Sequence, residues 1–351
     1  MQPALVVRFR PAGPWRIGPD TGSRETVDLI YHSDSLFSAL SQAMAALGLL
    51  EDWLEATVRA PEQPALAVSS CFPYLDEIHF VTPPLTLWPP PASPKLRWES
   101  AHFVPLSLVN DLLAEQPLAE DAWWLDGPSR CLMPAAVRFS APGPFRLNVR
   151  IRAAVDRLTS QVVPHKTACL EFPDSGGLWC LVGFASEEAY GRWAQPVQNA
   201  LRWLADTGFG GERTQGWGQC EAPEFIEAEL PGTILTAAGS EPNGGPGAYW
   251  LLSLYVPSLG DQIDWQRSRY SLIVRGGRVE SPRGWGTPKK LLRMVREGSV
   301  LCTAGSLRGA ARDVAPDGFP HPVYRSGLAL ALRIGPGPER VANSEHIAGT
   351  A

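Results

Sequence analysis

The sequence has no long apolar run and few charged residues. Charged residues make up 19% of its 351 residues, below the roughly 25% that is usual in soluble domains. The longest apolar stretch, at 36–50, is broken by Ser41, Gln42 and Gly48, so we expect no membrane-spanning helix. The first residues contain neither a long apolar core nor a small-residue cleavage site, so we expect no signal peptide.

Cysteine and histidine are scarce, and their spacing argues against a metal site. The chain has six of each, and they form no Cys-x-x-Cys, His-x-x-x-His or His-Glu-x-x-His pattern. Scattered cysteines are typical of free thiols in a reducing compartment, which predicts a cytoplasmic protein. We expect neither a zinc site nor any other cofactor.

Glycine and proline are abundant by contrast. The chain has 33 glycines and 34 prolines, well above average usage, so loops and turns must account for much of it. Hydrophobic residues make up 44%, enough for a core, and the length suggests about two domains. The net charge is −5, so an RNA-binding function would need a local basic surface.

The apolar pattern predicts an α+β protein of two modules with antiparallel sheets. The first module is expected at 1–230 and contains an irregular Pro/Trp-rich insertion at about 60–145 and a long hairpin at about 146–172. A linker at 231–248, a second module at 249–334 and a tail at 335–351 are expected to follow. Within the modules we expect helices that begin after Ser33, at Pro196 and after Thr287, and a closing strand at 323–334.

A glycine-rich loop at 207–219 is the most informative segment. Glycines let a backbone approach a ligand closely, and successive free N–H groups bind phosphate. Arginine and tryptophan in the same loop add a charge and a stacking face for RNA. The alternative is a turn that packs on the sheet. The candidate RNA contacts are Gly208, Gly210, Gly211, Arg213, Thr214, Gln215, Gly216, Trp217 and Gly218.

A basic segment runs from Arg267 to Arg312, with eleven basic residues and two acidic ones. A basic stretch in an acidic chain is typical of a track for phosphates. The alternative is a solvated face or a contact with an acidic protein. Arg283, Lys289 and Lys290 are its candidate RNA contacts.

Two further segments offer weaker candidates. His32, Ser33, Asp34 and Ser35 stand at a predicted helix start, where free N–H groups bind phosphate, although for this segment alone ordinary capping is the better explanation. In the long hairpin, the candidates for gripping a nucleic-acid backbone are Arg157, Thr159 and Lys166, the alternative being a surface hairpin with scattered charge.

Together these segments resemble the RAMP superfamily of CRISPR-associated proteins, and most closely the type III-A (Csm) subunit that holds the 5′ tag of the CRISPR RNA (crRNA). The matching pieces occur in the family's order: ALVVRFRP, HSDSLFSAL, AVDRLTSQ, LADTGFGGERTQGWGQ, YSLIVRGGRV, KKLLRMVREGSVL and HPVYRSGLALAL. The resemblance implies two ferredoxin-like (RRM-related) modules and no catalytic role. It also implies contacts with crRNA, a large polymerase-like subunit and a backbone RAMP subunit, and neither a membrane nor a small-molecule substrate.

Two other functions stay open at this point. One is a Cas6-like, metal-independent endoribonuclease that processes CRISPR repeat RNA, with His32 or His165 as general acid or base. The position of the glycine-rich loop, in mid-chain, argues against it. The other is a protein-interaction module with no RNA contact.

Overall fold

The structure is a computed structural model that describes residues 2–19, 22–60, 63–90, 100–137, 143–155, 158–159, 161–236, 246–281 and 284–335. Its helices are α1 (Ser33–Ala46), α2 (Leu50–Thr57), α3 (Leu106–Leu113) and α4 (Glu187–Thr207). The strands of the first module are β1 (Gln2–Phe9), β2 (Leu66–Val68), β3 (Phe72–Leu75), β4 (Ile78–Val81), β5 (Val104–Pro105), β6 (Trp123–Asp126), β7 (Cys131–Pro134), β8 (Arg146–Val155), β9 (Val162–Glu171), β10 (Gly176–Phe184) and β11 (Glu224–Leu230). Those of the second are β12 (Gly247–Leu251), β13 (Ile263–Arg269), β14 (Leu272–Arg275), β15 (Arg278–Ser281), β16 (Gly284–Pro288), β17 (Leu292–Val295), β18 (Val300–Thr303), β19 (Arg312–Asp313), β20 (Tyr324–Arg325) and β21 (Ala331–Gly335).

The first module is built on one antiparallel sheet in the order β11-β1-β10-β3-β4-β5, with β2 also paired to β10. Strand β10 is buried along its whole length, which explains its unbroken apolar sequence. Helices α1 and α4 pack against each other, and α4 packs on β1 and β10. The predicted mixed fold with antiparallel sheets and few helices is therefore confirmed.

Part of the segment expected to be an irregular insertion belongs to this sheet. Residues 66–81 form β2, β3 and β4, and β3 pairs with β10 through Phe72 opposite Trp179. Pro73 lies inside β3, opposite Leu178. A proline within a short apolar run argues against a central strand, and for that reason the sequence pattern was misleading here.

The long hairpin is confirmed as the antiparallel pair β8–β9, with Arg146 opposite Glu171 and Val155 opposite Val162. The helix predicted to begin at Pro196 begins instead at Glu187, with Pro196 inside it. The side chain of Ser186 accepts a hydrogen bond from Ala189 N at 3.2 Å, and this N-terminal cap fixes the earlier start.

The second module contains the antiparallel sheet β13-β18-β12-β21 and several two-stranded ribbons. The helix predicted after Thr287 is wrong, because Leu292–Val295 form strand β17, which pairs with β14. Met294 packs with Ile273 in a small core, so tertiary pairing overrides the helix propensity of this leucine- and lysine-rich stretch. The closing strand predicted at 323–334 is divided into β20 and β21.

The two modules share one hydrophobic core. Trp250, Leu252 and Leu332 of the second sheet belong to the same buried cluster as Leu5 and Leu181 of the first. All six cysteines are free and buried. In the described ranges no helix has both the length and the apolar character needed to cross a membrane.

Candidate nucleic-acid interface

The segment from His32 to Ser35, at the start of α1, joins the two modules. Ser33 Oγ accepts a hydrogen bond from Leu254 N at 2.9 Å, and Asp34 accepts hydrogen bonds from two arginines of the second module. His32, Ser33 and Asp34 are buried, so the N-terminal end of α1 is filled by the protein's own groups. The structure therefore contradicts the prediction that these three residues meet a phosphate, and leaves only Ser35 of the segment partly exposed.

Asp34 is held by two guanidinium groups. Arg275 donates from Nε to Asp34 Oδ2 at 3.0 Å and from Nη2 to Oδ1 at 3.1 Å, while Arg325 donates from Nη1 to Oδ2. Burial alone would raise the pKa of Asp34, but the charges of Arg275 and Arg325 hold that pKa well below its usual range. Two cations on one carboxylate leave this buried cluster with a net positive charge.

His32 forms a second link between the modules. Its Nδ1 lies 2.8 Å from Glu297 Oε1, and its Nε2 lies 3.2 Å from Asp28 Oδ2. Burial alone would lower the pKa of His32, but the charge of Glu297 and the hydrogen bonds to both carboxylates raise it to about 9. His32 is therefore a fixed buried cation at neutral pH, and it is not placed to exchange a proton with a bound strand. The other candidate acid or base, His165, lies on β9 opposite Arg152.

The glycine-rich loop packs closely on the protein's own backbone. A Cβ at Gly218 would lie 2.1 Å from Phe209 O, and one at Gly210 would lie 2.7 Å from Arg16 O. The N–H of Gly211 donates to Arg16 O at 2.8 Å, and that of Phe209 donates to Gly218 O at 3.2 Å. These amides are therefore not free for a phosphate, and packing accounts for the glycines at 210 and 218.

The aromatic residues of this loop serve as anchors. Trp217 is buried, and the guanidinium of Arg152 from the hairpin lies 5.0 Å from the centre of its ring. This contact contradicts the prediction that Trp217 offers an open stacking face, because a cation of the same chain already covers it. Phe209 packs edge-on against Trp15, with ring centres 4.4 Å apart.

A cavity of about 540 Å³ lies where the glycine-rich loop, the start of α1 and the second module meet. The loop contributes Gly210, Gly211 and Arg213, and α1 contributes Asp34 and Ser35. Buried aromatic and aliphatic side chains, including Tyr31 and Phe209, form part of its wall. Its size and mixed lining are typical of a pocket for a small ligand or for part of a polymer.

Positive charge predominates in this cavity. Its charged lining consists of Arg213, Arg275, Arg278, Lys289 and Arg325 against Asp34 and Glu280, which is an excess of three positive charges. Glu280 accepts a hydrogen bond from Arg213, whereas Lys289 forms no ion pair with a described residue. Burial, followed by the nearby charge of Arg325, lowers the pKa of Lys289. An anion bound beside Lys289 would relieve this repulsion.

The predicted RNA contacts are distributed unevenly around the cavity. Those that line it are Asp34, Ser35, Gly210, Gly211, Arg213 and Lys289. Lys290 lies outside the cavity, where it is exposed and pairs with Asp317 at 2.7 Å. The other candidates outside the cavity are Thr159 and Lys166 on the hairpin, Thr214, Gln215 and Gly216 at an exposed turn, and Gly208 at the end of α4. Arg157 and Arg283 lie outside the described residues.

Several cavity residues were not among the sequence candidates. Arg275 and Arg278 stand in the basic segment, and Arg325 stands in the HPVYRSGLALAL piece, but nothing in their spacing marks them as neighbours of α1. Arg16 was also missed. Its buried guanidinium donates to Ala168 O at 2.8 Å and to Ser23 O at 2.6 Å, which fixes the segment beneath the glycine-rich loop.

The fold and the cavity together define a two-module α+β protein with a positively charged cleft at the module junction. Residues 246–334 match the family model of the CRISPR Csm4 C-terminal domain. A chain of the Csm3-Csm4 subcomplex from a type III-A CRISPR-Cas interference complex is 15% identical, with a TM-score of 0.61 over 95% of this chain and 99% of that chain. A chain of a Csm1-Csm4 cassette solved with cA4 is 18% identical, with a TM-score of 0.57 over 96% and 99%. No curated protein matches the sequence.

The resemblance to the RAMP superfamily is thus confirmed. The second module matches the Csm4 family, and the fold of nearly the whole chain is that of chains in type III-A Csm complexes. Four of the cavity's cations, Arg275, Arg278, Lys289 and Arg325, lie within the segment that matches the family model.

Proposed function

We propose that this chain is a non-catalytic, RNA-binding subunit of a cytoplasmic type III CRISPR ribonucleoprotein that holds the 5′ tag of the crRNA and docks the large polymerase-like subunit. The observation that carries the proposal is the excess of three positive charges in a cavity of about 540 Å³ at the module junction. Phosphates of a nucleic-acid strand supply the complementary charge. The Csm4 match of the second module supports RNA of a CRISPR complex as the ligand.

Within the cavity, the charged residues have different roles. Arg275 and Arg325 are committed to Asp34 and shape the wall. Lys289 and Arg278 have no carboxylate partner among the described residues and are the side chains that would meet a phosphate. The buried apolar wall would face the sugar and base, since single-stranded RNA is recognised through exposed bases as well as its backbone.

We also infer that the first module is ferredoxin-like. Along the chain, its sheet strands and helices follow the order β1, α1, β3, β10, α4, β11, and the sheet order β11-β1-β10-β3 places the last strand beside the first. The second module is a variant of this fold in which ribbons such as β14–β17 stand where helices would be expected.

The proposed protein partners are the large polymerase-like subunit and the first backbone RAMP subunit. Structurally similar chains come from a Csm1-Csm4 cassette and a Csm3-Csm4 subcomplex, and this supports an assembly with two kinds of neighbour. The RNA held in the cavity would then lie between them.

The test compares two adjacent lysines. Lys289 lines the cavity, whereas Lys290 is exposed and paired with Asp317. We expect Lys289→Ala in the assembled complex to weaken binding of tag-bearing RNA about tenfold. The slope of the logarithm of the association constant against the logarithm of the salt concentration should become shallower by about one unit, as expected for the loss of one phosphate contact. Lys290→Ala, which removes the same charge outside the cavity, should bind like the wild type.

Equal losses for the two variants would show that the basic segment acts as a linear track and not through the cavity. Wild-type affinity for both would contradict the proposed RNA contact altogether. Both measurements use fluorescence anisotropy with a labelled crRNA at several salt concentrations, so that specific and non-specific binding are separated.

A further inference from the structure

The ribbon β14–β17 has one face turned inward and one turned outward. The register pairs Leu272 with Val295 and Val274 with Arg293. Alternate side chains lie on opposite faces of a strand, so Ile273 and Met294 point inward, where they pack in a small core. Arg275, on the same inward face, reaches Asp34. The opposite face carries Leu272, Val274 and Arg293, which are exposed, and Val295, which is buried in a small core with Leu251 and Tyr255.

This outward face carries a concentration of exposed apolar side chains. Leu272 and Val274 share it, Leu291 follows in alternation with Arg293, and Tyr270 precedes Leu272 by two residues. Trp265 packs edge-on against Tyr270, with ring centres 5.1 Å apart. The exposed fractions are 40% for Trp265, 42% for Tyr270, 51% for Leu272, 50% for Val274 and 74% for Leu291. We refer to these five residues as the ribbon patch.

Arginines without carboxylate partners border the ribbon patch. Arg293 stands directly across from Val274, and Arg269 precedes Tyr270 in the chain. Both are exposed, and neither forms an ion pair within the described part of the protein. An apolar centre with tryptophan and tyrosine and an arginine rim is the composition of a protein-binding hot spot. The complementary surface is apolar in the middle and carries carboxylates around its edge.

We propose that the ribbon patch is the docking surface for the large polymerase-like subunit, which would present an apolar surface bordered by acidic side chains. This inference rests on the proposed function for the identity of the partner, but not on RNA binding. The ribbon presents its inner face, with Arg275, towards the RNA cavity. A backbone subunit that runs along the RNA would approach from the side of the cavity. The outer face of the ribbon would then be available to a partner that does not run along the RNA.

A protein partner fits the ribbon patch better than RNA does. Three of its five side chains are aliphatic and offer no flat surface on which a base could stack. The ring of Trp265 meets Tyr270 edge-on, so the two rings do not form parallel platforms for successive bases. Exposed apolar patches bordered by polar residues are characteristic of protein–protein contacts.

The test uses the full-length protein and the purified large subunit as the probe. The variants are Val274→Asp with Leu291→Asp, and separately Arg293→Glu. The control is Leu259→Asp, which changes a leucine of the same module that is fully exposed outside the ribbon. We expect the double variant and Arg293→Glu each to weaken binding of the large subunit at least tenfold in a titration followed by interferometry. Leu259→Asp should bind like the wild type, and all variants should keep the thermal midpoint and the affinity for tag-bearing RNA.

Several results would overturn the docking surface. The first is unchanged binding of the large subunit by the ribbon variants. The second is that these variants lose affinity for RNA or for the backbone subunit and keep their affinity for the large subunit. The third is that they change only in self-association. If the wild type itself does not bind the large subunit, the proposed function fails together with the docking surface. If the wild type binds and the ribbon variants bind equally well, the docking surface alone is wrong.

Discussion

Replacement of Asp34 by asparagine tests whether a single buried carboxylate holds the two modules together. The substitution keeps the shape of the side chain but leaves the guanidinium groups of Arg275 and Arg325 buried beside a neutral amide. Removal of one partner from a buried ion pair typically costs about 3–5 kcal/mol. At about 2–4 °C per kcal/mol for domains of this size, the expected fall in the thermal midpoint is roughly 6–20 °C. Differential scanning calorimetry would measure it.

The control for this experiment is Asp317→Asn, which breaks the exposed ion pair with Lys290 and should leave the midpoint unchanged. A second variant combines Asp34→Leu with Arg275→Met and Arg325→Met. It replaces the whole charged cluster by apolar side chains and should recover much of the lost stability. If Asp34→Asn lowers the midpoint no more than Asp317→Asn does, the cluster does not hold the modules together.

Two further predictions concern the other charged pairs. The pKa of His32 is raised to about 9 in the folded protein, against about 6.5 in the unfolded chain, so its contribution to the free energy of unfolding is fully present below pH 6.5 and is lost as the pH rises through 9, by up to about 3 kcal/mol. Urea unfolding at several pH values should show this loss in the wild type and a flatter pH profile in His32→Gln. Identical profiles for the two proteins would contradict the prediction. Glu280→Gln should strengthen binding of tag-bearing RNA about three- to tenfold in an anisotropy titration, because it frees Arg213 and removes a negative charge from the cavity. Weaker binding would mean that Glu280 positions Arg213 for the RNA.

The sequence was most informative where a strand could be identified from its local pattern alone. The alternation of apolar and polar residues in the long hairpin predicted the β8–β9 pair, and the unbroken apolar run of β10 predicted a buried strand. The first feature follows from the two-residue period of a strand, and the second from burial of both faces of the strand. The prediction of a helix after Thr287 failed because the packing of Met294 against Ile273 outweighs the local helix propensity.

The candidate site was predicted only in part, for a physical reason. Hydroxyl and carboxyl groups at a helix start look the same in sequence whether they face solvent or another module. Asp34 is an inward-facing anchor because Arg275 and Arg325 reach it from more than 200 residues further along the chain. Glycine spacing likewise does not distinguish a loop that presents free amides from one that packs on its own backbone, as Gly218 does against Phe209.

The separation of the cavity residues along the chain has a consequence for biosynthesis. The wall of the cavity runs from Ile17 near the start to Arg325 near the end, and both cations that neutralise Asp34 are made late. A nascent chain that ends before Arg275 would leave Asp34 without either guanidinium and would lack one side of the cavity wall. The complete cavity can therefore form only after nearly the whole chain has been made.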